Sequence, residues 1–493
     1  MVSHSQDDTA RQRVAGRTPA EVIALLARTA DPEQRLAVQQ QLYPDLVNLA
    51  TAENVLLYSR MNEKVFSRLR RIEVQDIRYP VPIYGTQPMR EDIAELLRPR
   101  FGADLDSEDV FCAAGVSGAL ECLAFALKKT GAVATHDPVL IPAPFWQGFK
   151  WCFEQRPELT CVPVRLETKG LENFELTLED IQRAYYSAPQ AQRPKLLVLT
   201  NPHNPLGVNY DKGLLEKIYT WALTATDMHI ISDEMYAHSQ IETSRLPFVS
   251  AFALDAYRDI PAARERVHVV WGFAKDFGLS GFKAGVILTR SPEVKDVLAG
   301  KYGEPFSWFS PFNSLSNLVI GSLLETLDTD RSFALELMDD YRGVLTDAFH
   351  SARQALDDNH IPYVFHDGQN PAQFFWLDLR QYLDPQAPEI PYEQGPHFPR
   401  HGNGHHANGN GSAPKPGDLR LPVLFSEISS PEENLSRYIQ EHAHVQLLPG
   451  QTLSAPTPGY FRLCYTAFDK DKIHDAINRI GLALKSRHAG DDR

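Results

Sequence analysis

One lysine stands where a short apolar stretch turns into a run of small residues. Lys275 follows the predicted strand 267–271 and precedes Gly278 and Gly281. An amine among small and apolar neighbours is partly desolvated, which lowers its pKa, and a neutral amine can attack a carbonyl carbon. A solvated loop lysine is the ordinary alternative. The pattern therefore makes Lys275 a candidate nucleophile.

Two further polar groups follow predicted strands. Asn204 comes after the stretch 195–200, and Asp233 comes after the stretch 229–232. Ligands of parallel sheets bind at the carboxyl ends of the strands, so we expect both side chains near Lys275. A structural ion pair is the alternative role for Asp233.

A small-residue turn offers a place for an anion. Residues 110–114 predict a strand, 115–118 (Gly-Val-Ser-Gly) a turn and 119–129 a helix. Free backbone N–H groups and the helix dipole both favour phosphate at a helix N-terminus. Such turns also occur for steric reasons alone.

The elements around these residues alternate between strand and helix. Short apolar strands are predicted at 139–141, 161–164, 196–200, 229–232, 267–270 and 284–288, with helices at 178–186 and 212–223 between them. This alternation predicts a mostly parallel sheet covered by helices on both faces. The later chain predicts helices within 289–354, at 431–443 and at 470–487, and strands at 374–379 and 461–465.

Composition excludes several classes of function. The 493 residues carry a formal net charge of −14, which gives no electrostatic support to nucleic-acid binding. No apolar run is long enough to cross a membrane, and residues 1–9 lack the apolar core of a signal peptide. Five scattered cysteines are expected to be reduced core residues of a cytoplasmic protein. No metal site is expected, since the histidines near residue 400 lack cysteine or carboxylate partners.

Four stretches occur in the order found in one enzyme family. Tyr84-Gly85, the stretch 201–207, Asp233-x-x-Tyr236 and Lys275 resemble the aspartate-aminotransferase-like enzymes that use pyridoxal phosphate (PLP). Ala52-Glu53-Asn54 and the stretch 275–282 are closer to the 1-aminocyclopropane-1-carboxylate (ACC) synthase branch. The resemblance covers about residues 45–485. It implies fold type I: an α/β large domain with a mostly parallel sheet between helices, plus a smaller α+β domain.

The resemblance also implies roles for individual residues. Lys275 would bind PLP covalently and act as general base, Asp233 would hold the proton on the pyridine nitrogen, and Tyr236 would reach the ring oxygen. The remaining cofactor contacts would be Tyr84, Val116, Ser117, Trp146, Asn204 and Lys283, and the substrate contacts Glu53 and Arg462. Arg462 would grip the substrate α-carboxylate, and Glu53 would lie beside the leaving group.

The sequence departs from the family pattern near the expected phosphate. Gly272 and Ala274 stand where serines are usual, and Lys283 stands where arginine is usual. Lysine keeps the charge but lacks the two-pronged geometry of a guanidinium, so phosphate binding is expected to be weaker or differently arranged. Trp146 stands where ACC synthases usually have tyrosine. Aspartate aminotransferase also has tryptophan at this position.

The chain is expected to divide into five parts. They are a disordered N-terminus at 1–16, the N-terminal part of a small domain at 17–60, a large PLP-binding domain at 61–330, a small C-terminal domain at 331–485, and a mobile insert or lid at 386–418 within the latter. A helix near 18–28 opens with a capping box. The insert is rich in His, Gly, Asn and Pro.

Three functions stay open at this point. The first is an ACC-synthase-like lyase acting on a free α-amino acid with a β- or γ-leaving group, such as S-adenosylmethionine or a cysteine conjugate. The second is an aminotransferase. The third is a cofactor-poor binding protein, which the changes at Gly272, Ala274 and Lys283 favour. The resemblance further implies a homodimer with shared active sites, because Tyr84 would reach the partner's cofactor.

Overall fold

The structure is a computed structural model that describes residues 45–301, 312–326, 331–384 and 430–491. Three expectations lie outside these residues: disorder at 1–16, the helix near 18–28 and the insert at 386–418. They stay predictions.

The described strands belong to three sheets. They are β1 (Val47–Asn48), β2 (Val110–Ala114), β3 (Pro138–Pro142), β4 (Thr160–Val164), β5 (Leu196–Thr200), β6 (His229–Asp233), β7 (Val267–Gly272), β8 (Ala284–Thr289), β9 (Tyr363–Val364), β10 (Phe374–Asp378), β11 (Val445–Gln446), β12 (Leu448–Pro449) and β13 (Tyr460–Cys464).

The described α-helices lie between and after these strands. They are α1 (Tyr58–Lys64), α2 (Gln87–Phe101), α3 (Gly115–Lys129), α4 (Gly148–Glu154), α5 (Leu178–Ser187), α6 (Lys212–Ala225), α7 (Asp255–Asp259), α8 (Ala263–Arg266), α9 (Phe273–Asp276), α10 (Pro292–Leu298), α11 (Ser314–Leu324), α12 (Phe333–Asp358), α13 (Pro431–Ala443) and α14 (Lys470–Asp491).

The largest sheet has seven strands in the order β2-β8-β7-β6-β5-β3-β4. Strand β8 runs antiparallel to both β7 and β2, while the other pairings are parallel. Every residue of β3, β5, β7 and β8 is buried, as expected of strands covered on both faces. The predicted α/β fold with a mostly parallel sheet is confirmed.

A second, antiparallel sheet has four strands in the order β12-β13-β10-β9. A short parallel ladder pairs β1 with β11, aligning Val47 with Val445. The start of the described chain therefore pairs with a strand from its C-terminal part, as a second unit built from both parts requires. The domain boundaries at residues 60 and 330 stay a prediction.

Helix α3 begins four residues earlier than the sequence predicts. The segment 115–118, expected to be a separate turn, is its first turn. Gly115 adopts φ +81°, which lets β2 pass directly into the helix. The free N–H groups of the first helical turn therefore lie immediately past the end of β2.

Candidate active site

The predicted catalytic residues lie at the carboxyl ends of neighbouring parallel strands. Asp233 ends β6 and pairs with Thr200 at the end of β5. On its other side Asp233 pairs with Val270 of β7, and that strand runs directly into α9, which carries Lys275. The fold therefore brings together one carboxyl group and one amine that are far apart in the sequence.

Lys275 lies in a partly enclosed position. Its Nζ donates to the carbonyl oxygen of Ala52 at 2.5 Å and lies 3.5 Å from Oγ of Ser280. Burial lowers the pKa of Lys275, and the negative charge of Glu53 opposes that shift. The desolvated amine that the sequence predicts is therefore present, with the Glu53 carboxylate close enough to influence it.

The carboxyl group of Asp233 is buried. Burial raises the pKa of Asp233 to about 7, against the opposing hydrogen bonds from the Met235 N–H and the Thr200 hydroxyl. The Met235 N–H donates to Oδ1 at 3.3 Å. A cation placed beside this carboxyl group would favour its ionised form.

Tyr236 is buried one turn after Asp233. Burial raises the pKa of the Tyr236 phenol well above its ordinary value. Its ring meets that of Phe374 edge-on, with 5.2 Å between centroids. The phenol is therefore held neutral on the side of the site formed by the smaller sheet.

Arg462 and Asn204 are in direct contact. Nη1 of Arg462 donates to Oδ1 of Asn204 at 2.7 Å, and Nη2 donates to the carbonyl oxygen of Ala50 at 2.6 Å. The guanidinium carbon lies 4.6 Å from the ring centroid of Phe374. Nε of Arg462 is buried and has no hydrogen-bond partner among the described residues. The site thus retains a donor that a ligand carboxylate would satisfy.

Glu53 lies on a segment that is hydrogen-bonded to the end of strand β13 and to the residues just after it. Its carbonyl oxygen accepts from Oγ1 of Thr466 at 2.6 Å, and from Sγ of Cys464 at 3.4 Å. The Glu53 side chain is half-buried. The carbonyl of the preceding residue, Ala52, accepts a hydrogen bond from the Lys275 amine. These hydrogen bonds therefore hold Glu53 beside the lysine.

The start of α3 lies unusually close to β7 and β8. A Cβ atom on Gly285 would lie 2.5 Å from the carbonyl carbon of Gly115. A Cβ atom on Gly272 would lie 2.8 Å from the carbonyl oxygen of Ala284 and 3.0 Å from Cγ2 of Val116. Glycines therefore permit the close approach, and Gly272 occupies a position with no room for a side chain.

Two other predicted cofactor residues flank this helix start. Ser117 lies in its first turn and is exposed. Lys283 is also exposed and has φ +52°. The Lys283 Cα atom would lie 3.6 Å from a Cβ on Gly115, which places the lysine backbone beside the first turn of α3.

The remaining two predicted residues have their own supports. The half-buried Trp146 lies against Phe149, with 5.5 Å between ring centroids, and a Cβ on Gly148 would overlap its indole. Tyr84 packs 5.0 Å from the ring of Phe111, and the Arg90 guanidinium lies 5.0 Å from the Tyr84 centroid. Tyr84 is thus held by a different set of contacts from the cluster around Lys275.

Sequence reasoning missed several groups in and under the site. Five of them, Asn54, Thr200, Ser280, Gln373 and Phe374, contact a predicted site residue, and Tyr341 contacts Asn54 and Gln373. Asn54 was part of the tripeptide that marks the ACC synthase branch, but no role was assigned to it. No local pattern marks the others, because their contacts arise only when distant segments pack together.

Among residues 45–301, 312–326, 331–384 and 430–491, no three His, Cys, Asp or Glu side chains are grouped as metal ligands. Among the described helices, none has the length and hydropathy needed to cross a membrane.

Comparison with known proteins gives consistent relatives. ACC synthase 3 of Oryza sativa subsp. japonica is 27% identical over 411 residues, which cover 82% of this chain and 78% of the relative. A Mus musculus protein named "probable inactive ACC synthase-like protein 2" is 29% identical over 348 residues, covering 69% of this chain and 56% of that protein. The two names differ on activity.

The fold is shared with solved aminotransferases. Aspartate aminotransferase from Thermus thermophilus with maleate superposes with a TM-score of 0.62 at 20% identity, covering 96% of this chain and 98% of that one. The family model "Aminotransferase class I and II" matches residues 44–480. These findings support a PLP-dependent lyase or aminotransferase of fold type I. The chain belongs to the aminotransferase class I and II family, whose members depend on pyridoxal phosphate.

Proposed function

We propose that this chain holds PLP on Lys275 and eliminates or replaces a β- or γ-substituent of a free α-amino acid, in the manner of ACC synthase. The observation that carries the proposal is the placement of Glu53. The carbonyl of the preceding residue, Ala52, accepts a hydrogen bond from the Lys275 amine, and the Glu53 carbonyl accepts one from Thr466. The charge of Glu53 acts on the same amine. S-adenosylmethionine and cysteine conjugates are the substrate types that this placement favours.

The residues present fit PLP at its ring and carbonyl ends. Lys275 supplies a desolvated amine for covalent attachment, and buried Asp233 supplies a carboxyl group that a pyridinium would keep ionised. Tyr236 and Asn204 would bind the ring oxygen, and Trp146 would stack on the ring. When bound, PLP supplies an electron sink for the charge that develops at Cα of the substrate.

The phosphate end would be held differently from the usual family arrangement. The first-turn N–H groups of α3 at Val116 and Ser117, the Ser117 hydroxyl and the Lys283 ammonium are the available donors. Tyr84 of a second subunit would add a phenol. Gly272 contributes no hydroxyl, because the close packing of β8 and α3 leaves no room for a side chain there.

Restoring the usual serine at residue 272 should therefore weaken PLP binding. In Gly272→Ser, the new Cβ would press on the Ala284 carbonyl of β8 and on Cγ2 of Val116 at the start of α3. Overpacking costs about 1–3 kcal/mol, so we expect PLP affinity to fall about tenfold to a hundredfold. The measurement is a spectroscopic titration of the cofactor-free protein with PLP.

Ala274→Ser is the matched control, since a Cβ already fits at residue 274. It should leave PLP affinity unchanged or improve it. Tighter PLP binding by Gly272→Ser would contradict this account of the phosphate end.

The protein groups divide the work of the reaction between them. Arg462, whose Nε has no hydrogen-bond partner in the part of the chain that the structure describes, binds and orients the α-carboxylate, while Asn204 fixes the guanidinium. The Lys275 amine removes the Cα proton, since burial lowers its pKa and favours the neutral form. Glu53 then acts on the side chain of the substrate, either by stabilising a cationic leaving group or by moving a proton of that side chain.

Replacing Glu53 with glutamine should separate elimination from proton exchange. Glu53→Gln keeps the shape and removes the charge, so release of the leaving group should slow about 10²-fold or more. Exchange of the Cα proton with deuterated water, which needs only Lys275, should change less than fivefold, or about 1 kcal/mol. The measurements are thioether or thiol release from S-adenosylmethionine and cysteine conjugates, and deuterium uptake by mass spectrometry.

Glu179→Gln is the matched control, because Glu179 is exposed on α5. It should change neither rate. Equal slowing of release and exchange by Glu53→Gln would contradict the assigned role.

An aminotransferase is the second candidate, and Trp146 favours it because aspartate aminotransferase has tryptophan there. Stoichiometric formation of a keto acid and pyridoxamine phosphate, with no leaving group released and with Glu53→Gln unaffected, would select this activity. Intact Lys275, Asp233 and Arg462 argue against a non-catalytic binding protein.

We further propose a homodimer with shared active sites. A strip of exposed apolar residues precedes Tyr84 in the chain: Val55, Tyr58, Ile72, Val74, Ile77, Tyr79, Val81 and Ile83. Tyr79 and Val81 are 87% and 85% exposed, and exposed apolar side chains grouped in one segment favour an association site. A second copy packed on this strip would bring Tyr84 toward the partner's phosphate site.

A further inference from the structure

The main chain of Lys275 is held by two side-chain amides from distant parts of the sequence. Nδ2 of Asn54 lies 2.8 Å from the Lys275 carbonyl oxygen, and Nε2 of Gln373 lies 2.9 Å from the same atom. Nδ2 of Asn54 also lies 3.2 Å from the carbonyl oxygen of Asp276. The backbone at Lys275 and Asp276, called the lysine turn below, is thus held by residues outside β7 and α9.

The hydroxyl of Tyr341 lies between these two amides. It is 3.1 Å from Nδ2 of Asn54 and 2.9 Å from Nε2 of Gln373. It is also 3.1 Å from Oγ of Ser239, which donates its proton to Oδ1 of Asp276 at 2.8 Å. Since the Ser239 proton is used on Asp276, the Tyr341 hydroxyl donates to Ser239 and accepts from both amides.

This polar cluster is shielded from water. Tyr341, Gln373, Ser239 and Asp276 are each 0% exposed, and Asn54 is 5% exposed. Hydrogen bonds in such surroundings meet little competition from solvent and fix geometry closely.

The cluster joins the two larger sheets at the lysine. Tyr341 lies on α12, and Gln373 directly precedes β10, which pairs with the strand that carries Arg462. Ser239 and Asp276 belong to the connections of the seven-stranded sheet. We infer that Tyr341 is a positioning residue for Lys275, whose hydroxyl holds the two amides that set the position of the lysine turn. This inference rests on the proposed role of Lys275.

Removing the hydroxyl alone should loosen the turn without leaving a buried donor unpaired. In Tyr341→Phe, Asn54 keeps the carbonyls of Lys275 and Asp276, and Gln373 keeps Lys275 and Ser239. Ser239 still donates to Asp276. The variant is therefore expected to fold, since unpaired buried donors are the costly outcome.

The first measurement needs no cofactor. The pH dependence of acetylation of Lys275 in the cofactor-free protein, followed by peptide mass mapping, reports the pKa of its amine. In Tyr341→Phe, the amine should reach water more often, so this pKa should rise toward the ordinary lysine value. Gln373→Met removes one amide and should shift it in the same direction; the Gln373 Oε1 atom has no partner among the described residues to lose.

The second measurement uses the PLP-loaded protein. A misplaced reacting group costs up to about a hundredfold in rate, so kcat should fall about tenfold to a hundredfold in Tyr341→Phe while KM stays within about twofold. Tyr257→Phe, which removes a buried hydroxyl on α7, should leave kcat and the Lys275 pKa unchanged.

The outcomes separate this inference from the proposed function. If borohydride fixes PLP on Lys275 but Tyr341→Phe and Gln373→Met change neither the Lys275 pKa nor kcat, Tyr341 is not a positioning residue. Equal changes in Tyr257→Phe would overturn the inference as well. PLP fixed on another lysine would instead overturn the proposed function.

Discussion

Replacing Lys275 with alanine should abolish turnover, with a loss of at least about 10⁴-fold, because one change removes both the covalent attachment and the general base. Cofactor-free Lys275→Ala should still fold, since the hydrogen bonds of the amine to described residues are those with the Ala52 carbonyl and Ser280. The measurement is single-turnover product formation with PLP in excess. Lys217→Ala, at an exposed position on α6, is the control and should keep full activity. Turnover by Lys275→Ala within about tenfold of the parent rate would contradict the assignment.

The same variant tests whether the active site is shared between subunits. Tyr84→Ala chains mixed with Lys275→Ala chains should regain activity, because one site of each mixed dimer then contains both residues. Random exchange makes half of the dimers mixed, so about a quarter of the parent activity is expected. Absence of recovery, with subunit exchange verified and both single variants impaired, would count against a shared site.

Replacing Asp233 with asparagine should stabilise the cofactor-free protein at alkaline pH while impairing catalysis. Burial raises the pKa of Asp233 to about 7, so the folded state holds a proton that the unfolded state has already lost. Stability from this group is therefore present at acidic pH and is lost as the pH rises from about 4 to 7. Raising the pKa of a carboxyl group from about 4 to about 7 corresponds to about 4 kcal/mol as an upper limit, and Asp233→Asn should recover part of it at pH 8.

The measurement is the midpoint of thermal unfolding of both cofactor-free proteins at pH 5 and pH 8. The difference between variant and parent should be larger, and in favour of the variant, at pH 8. Asp227→Asn, with an exposed carboxylate, should show no such dependence. With PLP bound the ranking should reverse, because asparagine cannot keep the pyridine nitrogen protonated, and kcat should fall about 10²-fold or more. A variant that is less stable than the parent at pH 8 without PLP would contradict the buried-charge argument.

Much of the fold follows from local patterns. The strands at 110–114 and 196–200 and the helix at 431–443 have the predicted bounds. Helix α13 is well defined locally, because Ser430 caps it, Glu433 completes a capping box and proline occupies its first position. The position of Asp233 at a strand end, and of Lys275 shortly after one, follows in turn from the alternation of strands and helices.

The supports of the site depend on tertiary packing and could not be predicted in this way. Nothing in the sequence near Ala52 indicates that its carbonyl accepts a hydrogen bond from the Lys275 amine. Nor does any local pattern indicate that Tyr341 contacts the two amides that bond to the Lys275 carbonyl. The early start of α3 likewise depends on close contact between Gly115 and Gly285, which are far apart in the sequence but lie on neighbouring parts of the large sheet. The family pattern has serine at residue 272. Glycine is needed there because a side chain would clash with β8 and α3, and only the packing reveals this clash.

The position of the PLP attachment tests the central claim most directly. The protein purified with PLP is treated with borohydride, which makes a lysine–PLP linkage permanent, and its peptides are mapped by mass spectrometry. The account predicts a yellow protein before reduction and one stoichiometric phosphopyridoxyl label on Lys275. A label on a different lysine, or no label after PLP has been supplied in excess, would contradict it.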